Sequence, residues 1–183
     1  MRRNSGGGFR RSNARRCGRF GAVARRRWAD IDLANRAFGQ ALRYGRAASV
    51  LMIDSDNLKA VNDAHGHEAG NRLLRQLTRL VHAELRFTDV MARYGGDEFI
   101  VLLPETPPKG ALEVADRIRD AVAGAPLELD GRHVSCTVSI GIAGYPADGN
   151  TLDAVVARAD RAMYQAKQQG RNRVVPFDAA TVT

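Results

Sequence analysis

The chain has 183 residues, 44% of them hydrophobic, and a formal charge of +8. That length suits one well-packed domain and leaves little for a second. The charge is lopsided: residues 1–29 hold ten arginines and no acid, so the remainder carries about −2, which argues against a nucleic-acid-binding body.

Residues 1–28, ending "VARRRW", contain no apolar run long enough for a signal-peptide core or a membrane span. Their glycines and arginines bury too little apolar surface to offset the entropy of ordering, so a disordered basic arm is expected. An acid-free, Arg-rich beginning also suits a transit peptide or a nucleic-acid tether, but aromatics to interleave with the charges are nearly absent. Cys17 and Cys136 provide neither a disulfide framework nor metal-ligand spacing, and a reducing cytoplasm is the expected location. One domain is expected over residues 29–178, followed by a tail at 179–183.

From Trp28 the periodicity becomes regular. "ADIDLANRAFGQALRYG" reads as a helix with Leu33, Ala37, Phe38, Ala41 and Leu42 on its apolar face, stopped near Gly45. "AASVLMID" is a buried strand ending at Asp54. "AGNRLLRQLTRLVHAELR" sets Leu73, Leu74, Leu77, Leu80 and Val81 on one helical stripe. "DVMARYGGDEFIVLLP" is two apolar segments around Gly95-Gly96. Then come a helix, "KGALEVADRIRDAVAG", a strand, "HVSCTVSIGIAGY", a helix, "LDAVVARADRAMYQAKQQG", and a last strand, "NRVVPF". The order α-β-α-β-β-α-β-α-β predicts an α+β fold: a ferredoxin-like palm with additions, its central, mainly antiparallel sheet carrying helices on one side.

The hairpin is where chemistry concentrates. Gly95-Gly96 is expected to supply the positive dihedrals of a tight turn, placing Asp97 and Glu98 at or just past its tip. Asp54 ends the neighbouring strand. Carboxylates gathered at a strand edge repel unless a cation joins them, and hard oxygen ligands call for Mg²⁺, which favours phosphate co-ligands. The plain alternative is a solvated hairpin tip, where acids and glycines are ordinary.

"RYGGDEFIVLLP", "LANRAF", "MIDSDNLKAVNDAHGHEAGNRLL", "RFTDVMARYGGDEF", "VSCTVSIGIAGYPADG" and "RADRAMYQAKQQGRNRVV" stand in an order that resembles GGDEF domains, the diguanylate cyclases, from about Leu33 to Phe177. The resemblance implies condensation of two GTP molecules into cyclic di-GMP with release of two pyrophosphates, using Mg²⁺ or Mn²⁺. It implies metal ligation by Asp54, Asp97 and the Ser55 carbonyl. Glu98 matches the residue given either to the metal or to deprotonating the attacking hydroxyl, and Gly95 and Gly96 match positions where nucleotide approaches the backbone. Lys59, Lys167 and Arg171 match positions that hold the triphosphate. Asn62 matches an asparagine that contacts guanine. Asn71 stands where the family has an aspartate, and an amide offers guanine one acceptor and a competing donor. His65 and His67 are read as structural rather than as ligands.

Arg86 and Asp89, in "RFTD", resemble an inhibitory product site, with Arg117 as partner; a surface ion pair is the plain reading of the same spacing. Two classes stay open: a catalytic cyclase, and a non-catalytic module that binds GTP or cyclic di-GMP. A purine cyclase with relaxed base choice is a third. For the cyclase, one nucleotide site per domain and two phosphodiester bonds per product imply a transient homodimer about a two-fold axis.

Overall fold

The structure is a computed structural model that describes residues 21–129 and 131–181. Its elements are α1 (Gly21–Tyr44), β1 (Ala48–Ser55), α2 (Leu58–Ala83), β2 (Val90–Arg93), β3 (Glu98–Pro104), α3 (Pro108–Ala123), β4 (Leu127–Leu129), β5 (Arg132–Val134), β6 (Val138–Tyr145), α4 (Leu152–Gln168), β7 (Arg173–Pro176) and a 3₁₀ turn, Ala179–Thr181. The central sheet runs β2-β3-β1-β6-β7. Every pairing in it is antiparallel except β6 with β7.

Strands β6, β1, β3 and β2 reproduce the ferredoxin-like order, with β7 added at one edge. Helices α2 and α3 cross over one face, where Leu51, Ile53, Phe99, Val101, Val138 and Ile140 meet Leu73, Leu77, Ala115 and Ile118. The expectation of helices on one side holds for this pair alone. The alternate strand residues Val50, Met52, Ile100 and Leu102 point to the other face and are covered by Ala34 and Phe38 of α1 and Val155, Ala159 and Met163 of α4. The eight buried residues of β1 are the reason: a strand with no polar face needs a cover on both sides.

Four local expectations change. The buried face of α1 is Ala34, Phe38 and Ala41, whereas Leu33 is 53% exposed and Leu42 36%. Spacing alone could not choose between two overlapping stripes; packing takes the one whose small alanines let the helix approach the sheet. The second helix begins at Leu58 rather than near Ala69, and is broken at Gly66, whose φ of 81° and ψ of 166° only glycine adopts readily. The stretch from His133 is not one strand: β4 and β5 form a separate hairpin, residues 135–137 interrupt, and Cys136 lies in that gap. Finally, α1 starts at Gly21, so residues 21–28 of the expected arm are helical; residues 1–20 lie outside the described residues. Among the described residues no helix is long and apolar enough to cross a membrane.

Candidate functional site

Asp54 pairs directly with Glu98 of β3 on one side and with Ser139 of β6 on the other. The strand order therefore carries the two acids together from positions 44 residues apart in the sequence. The Asp54 side chain is 7% exposed; its Oδ2 accepts from Lys167 Nζ at 2.7 Å, and its Oδ1 is buried without a hydrogen-bond partner. Burial pushes the carboxyl up to about 6; Lys167 opposes the rise, while Asp97 and Glu98 add to it.

In the hairpin, the Tyr94 amide donates to Glu98 O at 2.8 Å and the Gly95 amide to the same oxygen at 3.2 Å. Arg93 Nε donates to Gly96 O at 3.1 Å. Neither Gly95 nor Gly96 has positive φ, so the expected reason for the glycine pair does not hold; for Gly95 a steric one replaces it, while a Cβ on Gly96 would meet nothing within 4 Å. A Cβ on Gly95 would lie 2.1 Å from Glu98 Oε2, which occupies that space. Asp97 and Glu98 are half-buried rather than fully exposed.

Asn62 and Asn71, the residues expected to hold the base, lie on either side of the Gly66 break. Asn62 Oδ1 would be 2.0 Å from a Cβ placed on Gly70, so the Asn62 carboxamide lies directly against the residue before Asn71. Lys59, exposed, sits in the first turn of α2, and Arg171, also exposed, follows α4. His65 and His67 are exposed beside the break. Ser55 is buried, with Oγ 3.8 Å from Cys136 Sγ; burial pushes that thiol up.

At the far end of α2 the Arg86 amide donates to Asp89 Oδ2 at 2.7 Å, and the Asp89 amide donates to Arg86 O at 3.0 Å. Asp89 thus closes a turn and does not pair with the Arg86 guanidinium. Arg117 Nε donates to Glu84 Oε2 at 3.1 Å and Nη2 to Glu84 O at 3.2 Å, which fixes Arg117 two residues from Arg86. This cluster lies on a different part of the fold from the acidic edge.

Sequence reasoning passed over Gly70, Glu84 and Asp56. Gly70 stands in the quoted "HGHEAGN" run, where a helix-interior glycine signals a close approach. Glu84 had no signal short of the fold.

The donor set fits a hard divalent cation. Oδ1 of Asp54 is an orphaned buried oxygen, and Asp97 and Glu98 are near enough to act on its ionisation. Among the described residues no three His, Cys, Asp or Glu side chains form a ready cage. An ion here would complete its shell with backbone, water or phosphate oxygens, as Mg²⁺ commonly does.

A family model described as "Diguanylate cyclase, GGDEF domain" matches residues 23–173. The chain is 44% identical over 126 residues to diguanylate cyclase A of Treponema denticola, covering 69% of this chain and 34% of that protein. It is 41% identical over 133 residues to the response regulator PleD of Caulobacter vibrioides, covering 72% and 29%. The chain thus spans about a third of the length of these curated relatives. Among solved structures it resembles the GGDEF domain of PA1120 (YfiN or TpbB) from Pseudomonas aeruginosa, with a TM-score of 0.77, 40% identity, and coverage of 82% of this chain and 94% of that one. It also resembles the GGDEF domain of DgcB from Caulobacter crescentus in complex with c-di-GMP, with a TM-score of 0.76, 30% identity and coverage of 82% and 90%.

Proposed function

The chain belongs to the diguanylate cyclase GGDEF domain family, and on that premise we propose that it joins two GTP molecules into cyclic di-GMP. The observation that carries this reading is the direct pairing of Asp54 with Glu98, with Lys167 laid onto the same edge. In each half-reaction the 3′-oxygen of one nucleotide attacks the α-phosphorus of the other, the bond to the β-phosphate oxygen breaks, and pyrophosphate leaves with the electron pair. Such a step needs positioning, charge neutralisation and a proton acceptor.

Lys59, Lys167 and Arg171 bind the triphosphate, and Asn62 and Asn71 bind the base. Gly95 and Gly96 keep the hairpin backbone accessible, while Glu98 either accepts the proton of the attacking hydroxyl or joins the metal-holding set. A Mg²⁺ or Mn²⁺ ion held by Asp54, the Ser55 carbonyl and Asp97 would supply neutralisation of the phosphate charge. Two domains facing about a two-fold axis complete the reaction, each contributing one GTP. GTP is a cytoplasmic metabolite, so the same reading puts the domain in the cytoplasm. Arg86 and Arg117 bind the product, Asp89 holds the turn that presents Arg86, and the bound product restrains the enzyme.

Incubation of the purified chain with Mg²⁺ and labelled GTP or ATP, followed by separation of products, tests the reading. Cyclic di-GMP from the native chain and none from Asp54→Asn or Glu98→Gln is the expected result. Nucleotide binding without any turnover would leave a binding module instead, and cyclic products containing adenine would relax the base assignment.

A further inference from the structure

The "DSD" run at residues 54–56 offers two aspartates, but the fold treats them differently. Asp54 leaves one oxygen free. Asp56, half-buried in the β1–α2 turn, uses both: Oδ1 accepts from Ser139 Oγ at 2.6 Å, and Oδ2 accepts from Thr137 Oγ1 at 2.7 Å and from the Asn172 amide at 3.0 Å. Its own amide donates to Thr137 O at 3.0 Å. A carboxylate committed to three donors is poorly placed to ligate a cation and well placed to tie elements together. Here it ties the β1–α2 turn to the start of β6 and to the turn after α4.

That last turn is strained. Arg171 and Asn172 have φ of 62° and 46°, two consecutive non-glycine residues in the left-handed region. The Arg171 amide closes the end of α4 by donating to Ala166 O at 3.0 Å, and the Asn172 amide is held by Asp56. The Arg171 guanidinium makes no ion pair or side-chain hydrogen bond among the described residues. The backbone beneath it therefore sets where the side chain starts and what the guanidinium can reach, and whatever fixes that backbone fixes this reach.

We propose that Asp56 is the positioning residue for Arg171: its carboxylate clamps the strained Arg171–Asn172 turn against the β1–α2 turn, so that the guanidinium faces the nucleotide triphosphate across from the first turn of α2. The inference rests on the reading of Arg171 as a triphosphate-binding residue. Asp56 touches no substrate; it acts through Arg171. Asp56→Asn is the suitable change, because the amide keeps the volume but sets a donor against donors at one of the two oxygens.

Calorimetry on the full chain with Mg²⁺ and GTP carrying an α,β-methylene bridge, a probe that binds without reacting, tests it. Asp56→Asn and Arg171→Ala are each expected to weaken binding about tenfold, the scale of one charge-assisted hydrogen bond, and the double variant no more than Arg171→Ala alone. Losses that multiply in the double variant, or full affinity in Asp56→Asn beside a weakened Arg171→Ala, overturn the positioning role. Full affinity in Arg171→Ala overturns the triphosphate reading itself, and the inference with it. Should Asp56→Asn fold poorly, Asn172→Gly is added, since glycine lowers the cost of the left-handed turn without holding it in one conformation. The combined variant is expected to regain its melting temperature while its affinity stays low. Affinity that returns together with stability reduces Asp56 to a purely structural residue and overturns the proposal.

Discussion

Lys167 Nζ lies 2.7 Å from Asp54 Oδ2, so α4 delivers a cation onto the acidic edge of the sheet. The lysine has 29% of its side chain exposed and the aspartate 7%, which makes Asp54 the partner that depends on the pair. Lys167 can turn to solvent or to a phosphate, whereas Asp54 stays in place whatever cation faces it.

The pH dependence of stability follows from this asymmetry. In the metal-free protein the Asp54 carboxyl is raised from 3.8 to about 6, so the folded state holds its proton more tightly than the unfolded chain. A raised carboxyl penalises the folded state above about pH 6 and releases the penalty as pH falls through 6 towards 4, a gain of at most about 3 kcal/mol. Urea unfolding in chelator should show Asp54→Asn more stable than the native chain near pH 7 and the difference shrinking towards pH 5. Equal stability of the two proteins at both values would remove the buried-charge argument.

Gly70→Ala separates binding from folding. The new methyl would lie 2.0 Å from Asn62 Oδ1 and 3.1 Å from Leu58 Cδ1, and both are ends of side chains that can swing away. Alanine suits a helix interior better than glycine by about 1 kcal/mol, so the melting temperature should hold or rise. The displaced Asn62 amide should lose its contact with the base, weakening nucleotide binding about fivefold, on the scale of one neutral hydrogen bond. Unchanged affinity would take Asn62 out of the base site.

The sequence was most legible where one physical signal dominated. The short apolar run of β1 at residues 50–53, followed by the polar Asp54-Ser55-Asp56, reads as a buried strand, and the glycine pair before Asp97 and Glu98 marks a hairpin. The second sheet face was not legible, because Val50 and Met52 look the same as Leu51 and Ile53 in a continuous apolar run. Nothing local says that α1 and α4 must cover one set and α2 and α3 the other. The first turns of α2 were missed for a different reason. Asn62, Asp63, His65 and Gly66 are weak helix formers, and tertiary contacts around Val61, which is buried, decide their conformation. In the site, residue types pointed to Asp54, Asp97 and Glu98, but Asp56 carries no local signal of its role, because the three donors that hold it come from Thr137, Ser139 and Asn172, far along the chain.

Gly141→Ala tests the packing that brings Lys167 to the site. A Cβ there would meet Ala159 O at 2.0 Å and Met163 N at 2.2 Å, and these are backbone atoms of α4 that cannot swing aside. The helix must lift from β6, at a cost of about 3 kcal/mol, the upper range for overpacking. Thermal unfolding should show a fall of several degrees or an unfolded chain. A variant that melts like the native protein would mean that α4 slides at no cost, which the backbone contact does not allow.

The last expectation concerns the cluster beyond α2. Asp89 accepts from the Arg86 amide and not from its guanidinium, so the arginine head remains available while its backbone is held in a fixed turn. Arg117 is fixed nearby through Glu84. Arg86→Ala should therefore weaken cyclic di-GMP binding by about 1.5 kcal/mol, roughly tenfold, by removing a charge-assisted contact. Asp89→Ala should weaken it too, by releasing the turn rather than by removing a ligand, so Asp89→Asn, which keeps an acceptor for the amide, should recover most of the loss. Calorimetric titration of the three variants decides between these roles. If Asp89→Asn binds as weakly as Asp89→Ala, the carboxylate charge itself takes part and the turn-holding account fails. If Arg86→Ala binds as tightly as the native chain, the cluster is surface charge and has no part in holding product.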